Sequence, residues 1–121
     1  MAKVLIVDDS RFMRLILRRI LEASGVHTVA GEAEDGAAAI EKYKELKPDA
    51  VTMDVIMPVE SGIAAVKGII EFDKNAKIVM VSAMGQEKVV EEVMGLGAKA
   101  FVVKPVMGEK LLEAIKTALG Q

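Results

Sequence analysis

Three features of this 121-residue chain point to an α/β protein whose mostly parallel sheet carries helices on both faces. Apolar runs of strand length recur along it. Between them, apolar residues return every three or four positions, as one face of a helix requires. The two kinds of segment alternate from end to end, and such alternation makes crossovers that lay helices over the strands they join.

The first run, KVLIV at 3 to 7, has no polar residue after Lys3 and reads as a strand buried on both faces, ending in Asp8 and Asp9. Phe12, Leu15, Ile16 and Ile20 mark one face of a helix that Ser24 and Gly25 terminate. HTVAGEA at 27 to 33 is more polar and is interrupted by Gly31, which suits an edge strand. A helix over residues 36–45 follows, and Lys47-Pro48-Asp49 turns the chain into AVTMD at 50 to 54, a strand ending in Asp54. The third helix is expected over residues 61–73. KIVMVS at 77 to 82 then ends in Ser82, a helix over 86–96 stops at Gly95-Leu96-Gly97, and AFVVK at 100 to 104 ends in Lys104. Leu111, Leu112, Ile115 and Leu119 line a last helix expected to run almost to Gln121. Five βα units thus form one expected domain, 1–121, with no room for a separate output domain.

Composition narrows the chemistry. Apolar residues make up 52% and charged residues 28%, with a net charge of -2, so a globular protein is expected and nucleic acid is not an expected partner. There is no cysteine, and the single histidine, His27, cannot build an imidazole metal site alone. The apolar stretch Val4 to Val7 is far too short for a signal peptide or a membrane span, so membrane insertion is not expected and the cytoplasm is. Four scattered aromatics, Phe12, Tyr43, Phe72 and Phe101, make no base-stacking platform.

Ligands of such folds gather at the carboxyl ends of the strands. Asp8, Asp9, Asp54, Ser82 and Lys104 all fall there. Three carboxylates in one cleft raise one another's pKa values unless a cation sits among them. A hard cation such as Mg²⁺, which takes one or two carboxylates plus phosphate oxygens, fits that set. One aspartate can then act as a nucleophile and form an acyl phosphate, with the Ser82 hydroxyl and the Lys104 ammonium binding its oxygens.

These residues resemble the receiver domains of two-component response regulators, in particular the single-domain chemotaxis type. The likeness covers the whole chain. It rests on Asp8-Asp9, the D-x-x-M-P of Asp54 to Pro58, Gly62, Ser82-Ala83 and Lys104-Pro105, in that order and at the family's spacing. It implies a flavodoxin-like doubly wound fold with strand order 2-1-3-4-5. It also implies that Asp54 is the phosphoacceptor, Asp9 a direct Mg²⁺ ligand, Asp8 a ligand through water and Ile56 a ligand through its backbone carbonyl. Ser82 takes the position of the switch hydroxyl, Phe101 that of the aromatic switch residue, and the Lys104–Pro105 peptide is expected to be cis. Phe101 stands where the family commonly has tyrosine and so lacks its hydroxyl. Ile56 and Met84 would flank the acyl phosphate, and their apolar side chains would leave attacking water poorly positioned. Implied partners are a sensor histidine kinase of the CheA type and a downstream protein bound through the helix 4, strand 5 and helix 5 face. Self-dephosphorylation rather than enzymatic turnover is expected. Stand-alone receivers of other phosphorelays look alike.

Each residue also has an ordinary reading. Asp9 and Ser10 could cap the first helix, Ser82 could be a turn residue, and Lys104 could snorkel off the sheet end; their joint placement on one rim favours the functional reading. Gly95-Leu96-Gly97-Ala98-Lys99-Ala100 spells a loose dinucleotide pattern but follows a helix and precedes a strand, the reverse of what pyrophosphate binding needs. His27 reads as a strand start. Arg11, Arg14 and Arg18 read by default as a solvated helix face, with a docking face for an acidic partner as the alternative, and Met84, Met94 and Met107 as core filler, with an adaptable surface for several partners as the alternative. Two rival functions fit less well. A Mg²⁺-dependent aspartyl-phosphate phosphohydrolase needs D-x-D at the first strand end, where Ser10 stands two residues after Asp8, and an FMN binder needs a Ser/Thr-Gly phosphate loop there.

Overall fold

A computed structural model describes residues 2–57 and 61–121; Pro58 of the D-x-x-M-P stretch lies outside them. Strands and helices alternate throughout: β1 (Ala2–Val7), α1 (Arg11–Ala23), β2 (His27–Ala33), α2 (Gly36–Leu46), β3 (Ala50–Asp54), α3 (Gly62–Phe72), β4 (Ile78–Ser82), α4 (Glu87–Leu96), β5 (Ala100–Val103) and α5 (Gly108–Ala118). The five strands form one parallel sheet of order β2-β1-β3-β4-β5. This is the flavodoxin-like order that the resemblance implies.

Side chains alternate across each strand, and this period of two splits the core into two layers. Leu5, Val7, Val51, Met53, Ile78 and Met80 bury against Tyr43, Val66, Ile69 and Val93 of α2, α3 and α4. Val4, Ile6, Ala50, Val79, Val81 and Val102 face the other way, against Leu17, Leu21, Leu111 and Ile115 of α1 and α5. The sheet is therefore covered on both sides, and its chemistry is left to its ends.

Boundaries shift by a residue or so where a cap intervenes. Ser61, expected inside the third helix, is its N-cap, with extended backbone and a hydroxyl that accepts the Ala64 N–H. Asp73 and Gln86 likewise flank α3 and α4 rather than belong to them. β5 stops at Val103, so Lys104 projects from the loop just past the strand. α5 ends sooner than expected, at Ala118, and Gly120 closes it with φ 81°. β2 is the edge strand that its polarity suggested. Its register against β1 slips between Val4 and Leu5, where Leu5 pairs with Gly31, and a Cβ on Gly31 would meet Leu46 Cδ1 at 2.7 Å.

The default readings of the methionines and arginines need correction. Met84 is 83% exposed and Met107 62%, so neither fills the core. Arg14 and Arg18 are not a solvated stripe. Both grip Glu32 of β2, at 2.9 Å and 2.7 Å, with Arg11 left exposed.

Candidate functional site

β1, β3, β4 and β5 run in the same direction, so their carboxyl ends bring Asp8, Asp54, Ser82 and Lys104 to one rim. Asp54 ends β3, with its register partner Val81 one residue before Ser82. Lys104 returns from β5, and its backbone N–H donates to the Ser82 carbonyl at 2.7 Å. The Lys104–Pro105 peptide is cis.

The carboxylates of Asp8, Asp9 and Asp54 each offer an oxygen within 4.8 Å of the others. Asp8 is 1% exposed and Asp54 6%, whereas Asp9 is open to solvent. Among the described residues, Lys104 is the cation that pairs with these carboxylates, with Nζ 3.4 Å from Asp54 Oδ1 and 4.0 Å from Asp8 Oδ2. One ammonium does not neutralise the cluster. Burial first, and the Asp8 charge second, push Asp54 up to about 6 against the pull of Lys104. Burial also raises Asp8, although its Oδ1 accepts the Ser10 N–H at 2.8 Å.

A hard cation fits this donor set. Asp8 Oδ2 is buried without a hydrogen-bond partner, which is costly for a carboxylate oxygen unless something positive meets it. All the side-chain donors are oxygens, the ligand type that Mg²⁺ takes, and the exposed Asp9 side leaves room for the waters and phosphate oxygens that it keeps.

The remaining predicted residues surround this cluster. Ile56 stands two residues past Asp54 with its side chain exposed. Ser82 is buried, and its hydroxyl donates to the Val102 carbonyl at 3.5 Å. Phe101 is half exposed; with Ser82, Met84, Val90 and Met94 it borders a largely apolar cavity of ≈ 360 Å³. Ser10, not Asp9, caps α1, its hydroxyl accepting the Met13 N–H at 3.2 Å. His27 begins β2. A larger cleft of ≈ 1080 Å³ lies at the opposite rim, beside His27, Asp49, Lys77 and Lys116, but among the described residues it has no such cluster of buried acids.

Gly62 has a structural reason to be glycine. Its N–H donates to the Val55 carbonyl at 2.9 Å, and a Cβ would stand 2.8 Å from that oxygen and closer still to the Asp54 carbonyl. Backbone atoms cannot step aside cheaply. Gly62→Ala is expected to lose about 1–3 kcal/mol of stability, read as a lower denaturant midpoint at unchanged slope.

Two contacts escaped the sequence reading. Arg14 Nη1 donates to the Asp8 carbonyl at 2.7 Å while its Nε holds Glu32. Gln86 Oε1 accepts the Ala83 N–H at 2.6 Å and closes the β4–α4 loop. The helical spacing of Arg14 is visible in the sequence, but its partners depend on the β1–β2 register, which is not.

The response regulator receiver domain family matches residues 4–116. The chain is 53% identical over 113 residues, 93% of each chain, to the chemotaxis protein CheY of Thermotoga maritima. It is 49% identical over 120 residues, 99% of each chain, to the protein CcdB of Bacillus subtilis. Among solved structures it superposes on a chain of the CheX-CheY-BeF3-Mg complex of Borrelia burgdorferi with a TM-score of 0.88 and 42% identity, covering 93% of this chain and 85% of that one. With buried acids and a lysine on the carboxyl rim of a 2-1-3-4-5 sheet, and a family match across nearly its whole length, the chain belongs to the response regulator receiver domain family.

Proposed function

We propose that this chain is a phosphorylation-activated switch that takes a phosphoryl group from a histidine kinase onto Asp54 and signals by binding a protein directly, in chemotaxis. The observation that carries the reading is the acidic cluster itself: three carboxylates within 4.8 Å around a buried Asp54, with Lys104 as counter-charge. In the proposed step an Asp54 carboxylate oxygen attacks phosphorus, the P–N bond to the kinase imidazole breaks, and an acyl phosphate forms. Asp8, Asp9, Asp54 and the Ile56 carbonyl would hold Mg²⁺, which offsets the phosphoryl charge and orients its oxygens. Lys104 already reaches Asp54 Oδ1 and is placed to follow an incoming anion. The chain acts as one receiver domain over residues 1–121, in the cytoplasm. Among the described residues no helix is long and apolar enough to cross a membrane.

Output would use the face of α4, β5 and α5. Phe101, Val103 and Met107 are exposed there, and an adaptable apolar surface of that kind suits a protein partner. Ser82, turning its hydroxyl from Val102 toward a phosphoryl oxygen, would vacate space beside Phe101 and bias that face. The chemotaxis assignment draws on the CheY relatives.

Incubation with acetyl phosphate and Mg²⁺, followed by mass spectrometry and peptide mapping, tests the reading; one phosphoryl group on Asp54 is expected, and none, or one elsewhere, overturns it. A further prediction concerns lifetime. The exposed Ile56 side chain offers attacking water no hydrogen bond and that of Met84 only a weak thioether acceptor. Ile56→Asn or Met84→Glu should speed decay of the phosphorylated form several-fold, measured as phosphate release. Unchanged decay in both variants would remove the water-positioning argument.

A further inference from the structure

The geometry points to Arg14 as a positioning residue for the cation site, an inference that rests on the magnesium reading above. Asp8 is pinned by its backbone as well as its side chain. Its N–H donates to the Ala33 carbonyl of β2 at 3.1 Å, and its own carbonyl accepts Arg14 Nη1 at 2.7 Å. The second bond fixes the plane of the Asp8–Asp9 peptide. That plane sets the direction in which the chain presents one carboxylate relative to the next.

Arg14 is itself anchored. Its side chain is only 13% exposed, its Nε donates to Glu32 Oε1 at 2.9 Å, and Arg18 holds the other oxygen of the same carboxylate at 2.7 Å. Glu32 in turn pairs with Ile6 in the β1–β2 ladder. The guanidinium fork thus ties β2, α1 and the metal-facing turn into one unit, and a planar, multi-donor group is needed to serve the carboxylate and the carbonyl together. Groups that orient metal ligands from behind commonly govern affinity by about 10–100-fold.

Charge and positioning predict opposite outcomes, which makes the assignment testable. Arg14 is a cation close to a site for a cation, so on charge alone its removal should tighten Mg²⁺ binding. If it positions the turn, removal should weaken binding. We expect Arg14→Ala and Arg14→Lys to bind Mg²⁺ about 10-fold more weakly by isothermal titration calorimetry, the lysine variant at unchanged charge. In metal-free protein, the Ser10 amide, which donates to Asp8, should exchange hydrogen faster in Arg14→Lys than in wild type. Circular dichroism of the lysine variant checks that the fold persists. Mg²⁺ affinity equal to or tighter than wild type in both folded variants, or an unchanged Ser10 exchange rate, overturns the assignment. If the wild type takes up no Mg²⁺, the magnesium reading falls and this inference falls with it.

Discussion

Asp54→Asn should abolish phosphoryl incorporation from acetyl phosphate and Mg²⁺, leaving the mass of the treated protein unchanged. The side chains are nearly equal in volume, so the difference is chemical. An amide carries no anionic oxygen to attack phosphorus, and it cannot be the carboxylate that Lys104 now approaches at 3.4 Å. Neighbouring acids are poorly placed to substitute. Asp8 Oδ1 is held by the Ser10 N–H, and Asp9 is open to solvent, where a carboxylate is a weak nucleophile and its acyl phosphate would be exposed to water. The expected effect is therefore all or none. Retention of the mass gain in Asp54→Asn, with the label on another residue, would show that another side chain accepts the group and would overturn the Asp54 assignment.

The fold was legible because its signals are redundant. Most of the buried strands announce themselves by an apolar run, unbroken in VLIV of β1 and IVMV of β4, with β2 the polar exception at the edge, and turn chemistry at Ser24-Gly25, Lys47-Pro48 and Gly97 separates the units. Once the strands are parallel, a residue type that recurs at their carboxyl ends must share one rim, so Asp8, Asp54, Ser82 and Lys104 could be placed together before any coordinates. Two kinds of information stayed hidden. Cap residues look helical by pattern, which is why Ser61 and Asp73 were read into α3; only their backbone angles set them outside. Exposure depends on where a helix face ends up, and so Met84 and Met107, apolar and near helices, resembled core residues. Arg14 and Arg18 show the same limit for charge. Spacing put them on one face of α1, but β2 lies against that face, and Glu32 converts a solvated stripe into an ion-pair cluster.

In metal-free protein at neutral pH, the same Asp54→Asn substitution should raise stability while it removes function. Burial and the Asp8 charge push Asp54 up to about 6 in the fold against 3.8 ordinarily, because they disfavour its ionised form more than Lys104 favours it. For an acid with a raised folded pKa, the folded state holds the proton more tightly than the unfolded state. The penalty is absent below about pH 4, grows as pH rises through the window between the two values, and is complete above about pH 6. A gap of roughly two units corresponds to about 3 kcal/mol, which for a domain of this size is a rise in Tm on the order of 10 °C. Thermal unfolding in chelator should thus show Asp54→Asn clearly more stable than wild type near pH 8, with little difference near pH 4. Mg²⁺ should reverse the trend by binding the folded wild type, whose cluster of three carboxylates could hold it, better than the variant with two. A variant less stable than wild type in chelator near pH 8 would mean that Lys104 outweighs burial and Asp8, and that the acids at this rim need no cation to coexist.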